Sequence, residues 1–450
     1  MKVLFALIFC CCVVVVSSAQ HPAVRRFIQE PALRHAAVGI SVKALTDGKV
    51  VAEYNPQTAL HPASITKLIT TVSALKSKGA EYRFRTSVAY TGEISDHILY
   101  GDIIIRAAGD PTPDSKYFPS YKLTDQLVKK IIATGIKKIE GRILVLNDPA
   151  VDIPGSWPWE DISNYYGAVC HGFNYRDNTY WLDFRSGKAG SSTELIGITP
   201  RLPGVNFVNE VKASAQNKDD AWIFGGPYAN KIHIKGTIPQ NQASYRVKGA
   251  MHDPAVCFVE ELTGLLHKNG VTVVGKETGD KPVERPFMTF ESPALKEIVY
   301  HTNKSSVNLF AEALGTQVAD VDRQFEAMGI DASGVILKDA CGLSHLNAVP
   351  ADVFTDLLIW ADKNIGESFL VSLPVAGVDG GLRGYCGDSP LLKNKVKAKT
   401  GSFAGVRCLS GFLQTSAGTR LAFTIMVNNY TADTSALYKA IRTFLEELSR

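Results

Sequence analysis

The chain has 450 residues, with 48 Lys and Arg against 44 Asp and Glu and a formal net charge of +4. So even a balance excludes an electrostatic engine for nucleic acid. The length excludes a single hydrophobic core, because cores stop growing at about 250–300 residues, so two or three domains are expected.

Lys2, an apolar run over 3–16 and the small residues Ser17-Ser18-Ala19 read as an export signal spanning 1–19 and cut after Ala19. The run of about 14 residues is short of the roughly 20 that a membrane span needs, so no stable membrane insertion is expected; retention as an N-terminal anchor is the alternative. Five cysteines follow the signal, Cys170, Cys257, Cys341, Cys386 and Cys408. Their odd number and wide spacing give no disulfide framework, and each reads as a small buried hydrophobe. Cys170-His171 lacks a second ligand pair at zinc spacing, so neither a metal nor a cofactor is expected.

Residues 37–45 and 50–54, joined through Asp47-Gly48, read as a hairpin. A loop broken by Pro56 and Pro62 then delivers Ser64 at the start of an apolar helix that runs to about Ser77 and ends at Gly79. From Tyr82 the chain changes character: strands at 85–90 and 98–107, a Gly-Pro break at 109–113, a helix at 124–133 and a strand at 143–146. Residues 152–250 are richer in aromatics, Gly and Asn, with short strand-like runs at 179–184 and 231–236. Helices follow at 254–268, 295–303 and 307–314, strands at 396–398, 409–415 and 420–428, and a closing helix at 435–448.

Three short motifs carry chemistry. Ser64-Ile65-Thr66-Lys67 puts a hydroxyl and an amine on one helical face, where the amine can serve the hydroxyl as base. Alone it is cheap, since about two Ser-x-x-Lys matches arise by chance in such a chain, and Ser73-Ala74-Leu75-Lys76 is a decoy set mid-helix, its hydroxyl expected to bond the preceding turn. Ser306-Val307-Asn308 is as cheap, and Ser306 taken alone reads as a cap of the helix behind it, a reading that the order of the motifs reverses. Lys399-Thr400-Gly401 is rarer, about one chance match in ten such chains. Lys393, Lys395, Lys397 and Lys399 alternate at strand period, which turns the four amines to one face. A cation and a hydroxyl beside Gly401 allow a carboxylate to lie against the strand edge, with the backbone N–H groups of Ser64 and Ser402 as an oxyanion hole.

In this order the three motifs resemble those of penicillin-binding proteins and β-lactamases. The chain resembles the D-alanyl-D-alanine carboxypeptidase/endopeptidase family of class C penicillin-binding proteins, on His61-Pro62-Ala63-Ser64-Ile65-Thr66-Lys67, Ala108-Gly109-Asp110-Pro111-Thr112, Trp157-Pro158-Trp159-Glu160-Asp161, Leu373-Pro374-Val375-Ala376-Gly377 and Lys397-Ala398-Lys399-Thr400-Gly401-Ser402. The resemblance implies an α/β (α+β) fold, a β-lactamase-like transpeptidase domain with two nested inserts. Residues 20–81 and 288–450 would form the acyltransferase domain, 82–151 and 251–287 an inserted α+β domain, and 152–250 a β-rich insert within it.

It further implies an exported peptidase of the periplasm or cell envelope. That enzyme acts on peptidoglycan stem peptides through a Ser64 ester and is acylated by β-lactam antibiotics. Lys67 would be the base, Ser306 a proton relay, Asn308 a contact to the substrate amide, and Lys399, Thr400, Gly401 and Ser402 the carboxylate and oxyanion pocket. Asp148 is a candidate contact for a cationic amine of the stem peptide, with a turn-forming role as its alternative. Cys341, His345 and Ala404 depart from the family pattern and bear on side-chain preference. A serine β-lactamase or esterase, and a non-catalytic envelope binding protein, are the competing readings; the intact motifs oppose the second.

Overall fold

The computed structural model describes residues 20–146, 153–226, 229–277, 283–318 and 320–450. The expected export signal and Asp148 lie outside the described residues. Among those described, no helix is long and apolar enough to cross a membrane.

A five-stranded antiparallel sheet organises the first and last parts of the chain, in the order Val396–Phe403, Val406–Gln414, Arg420–Asn428, Ala37–Ala44, Val50–Tyr54. Its central strand shows the period of two by which neighbouring side chains leave opposite faces. Ala422 and Met426 enter a core with the helices Thr66–Lys78, Leu295–Lys304, Asn308–Gly315 and Ala351–Asn364. Leu421, Phe423, Ile425 and Val427 enter the opposite core, with Pro22–Ile28 and Thr434–Leu448. The closing helix starts where the Asp433 carboxylate accepts from Ser435 N, and the Thr66–Lys78 helix stops at Gly79, whose φ of +81° suits glycine.

The chain leaves and re-enters this domain side by side. Phe84 N donates to Ser292 Oγ (3.0 Å) and Ser292 N to Phe84 O (3.0 Å), while Leu295 N reaches Tyr82 O (2.8 Å) and Lys296 N reaches Ala80 O (3.0 Å). Immediately beyond this clasp Arg85–Tyr90 pairs antiparallel with Arg285–Glu291. The expected boundary at 287/288 falls within that strand.

Three further expectations are corrected. The strand expected over 98–107 is two strands, Ile98–Tyr100 and Ile103–Arg106, in different sheets. The break falls at Gly101, where a Cβ would lie 2.0 Å from Thr91 O, and Asp102 N donates to Thr91 Oγ1. Lys393 and Lys395 precede the Val396–Phe403 strand, so of the four alternating lysines only Lys397 and Lys399 share a strand face. The helices Val321–Met328 and Ala351–Asn364 fall where no element is expected. Ala351–Asn364 begins behind Pro350 without a side-chain cap and buries seven residues, which widens the narrow apolar stripe that makes a surface helix easy to read.

The nested region folds as short sheets, among them Glu194–Thr199, Thr179–Arg185 and Tyr245–Ala250. Its 153–175 segment reaches back to the first domain, where Trp157 and Val169 pack on Ala311 and Cys341.

Phe84 is fully buried in the helical core at the exit point. Phe84→Ala should therefore cost about 3–5 kcal/mol. Urea unfolding followed by fluorescence measures this, and a loss under about 1 kcal/mol would show that the junction lies outside the cooperative core.

Candidate active site

Ser64 lies in a single 3-10 turn, Ala63–Ile65, ahead of the Thr66–Lys78 helix and not in its first turn as expected. Ala63 takes φ +48°, a conformation that costs a non-glycine residue energy and persists only when its surroundings enforce it. Two contacts do so: Thr66 Oγ1 donates to Ala63 O (2.8 Å), and Asn428 grips His61, accepting from its N (2.7 Å) and donating to its O (3.1 Å). The turn leaves Ser64 half-buried between the buried Ala63 and Ile65.

The Lys67 side chain has no solvent exposure. Its Nζ donates to Asn308 Oδ1 (2.6 Å) and to Cys341 O (2.6 Å), and stands 3.1 Å from Ser64 Oγ. Burial pushes its pKa down, against the opposing pull of Cys341, Asp339 and Glu312. A neutral amine has two N–H bonds and one lone pair. Two strong acceptors take the N–H groups, and the lone pair is left for the serine hydroxyl.

Asn308 is fixed from both ends, because its Nδ2 donates to Tyr166 O (2.7 Å) in the nested region. Ser306, in the turn before the Asn308–Gly315 helix, has φ +56° and accepts from Lys399 Nζ (2.9 Å). Lys399 is buried, also donates to Thr400 O (2.8 Å), and is held well below the usual lysine range by burial and by Lys67. Behind Ser306, the buried Lys304 donates to Asp379 Oδ2 (2.7 Å) and Leu373 O (2.6 Å), which ties this turn to the segment before the Lys399 strand.

The Val396–Phe403 strand is an edge of the sheet, and the Ser64 turn packs over its face at Gly401. Ala398 N donates outward to Pro374 O (2.9 Å), so by the period of two the N–H groups of Thr400 and Ser402 also point off the edge. Gly401 lets this edge approach closely: a Cβ there would lie 2.5 Å from Pro62 O and 3.0 Å from Ser64 N. The structure thus gathers Ser64, Lys67, Ser306, Asn308, Lys399, Thr400, Gly401 and Ser402 at one place.

Several contributors give no short-motif signal. The Cys341 carbonyl reaches Lys67 because Gly342, at φ +84°, crosses Ala63 so tightly that a Cβ would fall 1.9 Å from Ala63 O. The Cys341 thiol points away, toward Asp339 and Glu312, and so belongs to the surroundings of Lys67 and not to side-chain preference. Asp339 accepts from Gly342 N, Ser344 N, Asn347 Nδ2 and Trp157 Nε1. Glu312 accepts from Ala340 N, and burial pushes its carboxyl up to about 7. Glu312, Asp339 and Cys341 bring ligand-type atoms within 4.8 Å of one another. Those on Asp339 are committed to internal donors, and burial favours the protonated forms of the other two.

The decoy Ser73 is buried and its Oγ has no partner among the described residues, contrary to the expected bond to the preceding turn. His345 stacks on Phe403 (centroids 4.3 Å apart), in the neighbourhood of Asp161. All five cysteines are buried and free.

Comparison with known proteins places this geometry. The chain is 26% identical over 426 residues to D-alanyl-D-alanine carboxypeptidase DacB of Haemophilus influenzae, covering 87% of this chain and 85% of that protein. It is 27% identical over 446 residues to the D-alanyl-D-alanine carboxypeptidase of Actinomadura sp. R39, covering 90% and 80%. The crystal structure of penicillin-binding protein 4 (dacB) from Haemophilus influenzae matches with a TM-score of 0.79 at 24% identity, over 94% of this chain and 98% of that one. A second structure of it, complexed with a novel β-lactam, gives a TM-score of 0.77. The fold is accordingly the penicillin-binding-protein fold. A profile of the D-Ala-D-Ala carboxypeptidase 3 (S13) family matches residues 20–448, and the chain belongs to that family.

Proposed function

We propose that this chain is an exported serine-type D-Ala-D-Ala carboxypeptidase/endopeptidase of peptidoglycan stem peptides that is acylated by β-lactams. The observation that carries the reading is the Lys67 amine, desolvated and held by two acceptors beside Ser64 Oγ. Family membership supports the substrate class.

In this reading the stem peptide adds as a short strand along the free edge at 400–402, and Lys399 and Thr400 receive the terminal carboxylate. That carboxylate favours the charged form of Lys399, which burial disfavours in the free enzyme. Ser64 Oγ attacks the carbonyl of the penultimate D-Ala and its proton passes to Lys67 Nζ. The oxyanion is held by the N–H groups of Ser64 and Ser402. When the C–N bond breaks, the departing amine takes a proton from Lys67 through Ser306, leaving an ester on Ser64 with its amide against Asn308. Water then attacks the ester and gives a proton to Lys67; the acyl C–Oγ bond breaks, the acid leaves, and Lys67 returns the proton to Ser64 Oγ. A β-lactam follows the first half, but its amine stays tethered and obstructs the water.

Ser64→Ala should abolish covalent labelling by penicillin and leave the fold intact, whereas Ser73→Ala should label like the wild type. Intact-mass analysis after incubation with penicillin reads both. An adduct that persists in Ser64→Ala would overturn the assignment.

The rate of acylation should rise with pH as Lys67 loses its proton, along a limb below the ordinary lysine range. The Glu312 carboxylate favours protonated Lys67, so Glu312→Gln should move that limb to lower pH while its amide oxygen still accepts from Ala340 N. Acylation rates over pH 5–10 test the sign, and a shift to higher pH would show that Glu312 does not act through charge.

A further inference from the structure

A cavity of about 400 Å³ lies where residues 114–122 of the first insert meet residues 176–181 and Lys248 of the nested one. Of its six charged groups, three are already satisfied. Arg176 is paired with Glu261, Asp114 accepts from Thr124, and Asp177 accepts from Ser115 Oγ (2.5 Å). The three lysines are different: among the described residues none of Lys116, Lys122 and Lys248 has a carboxylate oxygen within 4 Å, and of the three it is Lys116 and Lys248 that lie close to Asp177.

The Lys248 ammonium lies 5.3 Å from the centre of the Tyr165 ring and 5.6 Å from that of Trp181, and Lys116 Nζ lies 4.8 Å from the Tyr117 ring. Burial, and then the charge of Lys116, push Lys248 down to about 8. Two like charges drawn together over an aromatic floor repel each other, and an anion seated between them would remove that repulsion.

Two short chains of contacts link this cavity to the Ser64 site. Tyr165 contacts Tyr166 edge-on (5.3 Å), and Tyr166 O holds the Asn308 amide. Tyr117 lies near the Ser305 side chain, one residue before Ser306. We propose that Lys116 and Lys248 form a carboxylate-binding subsite that receives an acidic group on the acyl part of the substrate. The proposal rests on the reading of the chain as a stem-peptide hydrolase. It concerns the far end of the substrate from the terminal carboxylate assigned to Lys399. Stem peptides offer two such groups, the α-carboxylate of a γ-linked D-Glu and the side-chain carboxylate of a diamino acid.

Equilibrium binding to the Ser64→Ala protein tests the subsite without turnover. The probes are L-Ala-γ-D-Glu-L-Lys-D-Ala-D-Ala and its D-isoglutamine form, and the meso-diaminopimelate peptide with its side-chain carboxyl free or amidated. Amidation of the recognised carboxylate should weaken binding about tenfold, and that pair identifies the source. Lys248→Met and Lys116→Met, each added to Ser64→Ala, should erase the preference, and Lys248→Arg should keep it. Thermal unfolding separates loss of charge from loss of fold. Equal binding of acid and amide in both pairs, or a preference that survives in both Met variants, would overturn the subsite. Penicillin labelling of the intact Ser64 protein remains a separate test of the hydrolase reading.

Discussion

An amine removed from water governs this structure. Lys67 can act as a base near neutral pH only if its charged form is made costly, and burying an ammonium is the direct way to do that. Full burial alone would leave its N–H groups unpaired, which is also costly. The fold answers both demands with two uncharged acceptors, the Asn308 amide oxygen and the Cys341 carbonyl, and keeps the carboxylates of Glu312 and Asp339 one layer further out.

Each acceptor depends in turn on a backbone geometry. The Cys341 carbonyl reaches Lys67 because Gly342 crosses Ala63 without a Cβ, and the same Ala63 turn presents Ser64. Asn308 is oriented by Tyr166 O, and Trp157 bonds Asp339, so two contacts from the nested region complete the surroundings of Lys67. A carbonyl from the 153–175 segment thus orients the amide that touches Lys67.

Sequence motifs made the first layer legible, because Ser64 and Lys67 are three residues apart and Lys399 to Ser402 are contiguous. Helices with an evident stop or start, such as the one ending at Gly79 and Pro254–Lys268 behind Asp253, were legible for the same local reason. What could not be read were contacts made by backbone atoms. Any residue type can offer the carbonyl of Tyr166 or Cys341, so neither leaves a mark in composition or spacing. Glu312 has a weak signal, one helical turn beyond Asn308 on the same face, but only its buried setting distinguishes it from a solvated glutamate. The pairing of Arg285–Glu291 with Arg85–Tyr90 was not legible either, because either strand looks like any other until its partner is known.

The sequence separations of the Lys67 contacts carry a kinetic consequence. Asn308 lies 241 residues away and Cys341 lies 274 away, and the strand that faces Ser64 comes later still. Contacts this distant form late, after both inserts have had the opportunity to fold between them. Until those contacts form, Lys67 lies on a helix that is still wet, where the amine keeps its proton and the Ser64 hydroxyl, in the turn ahead of it, has no base. Nucleophilic character at Ser64 is thus tied to the finished molecule.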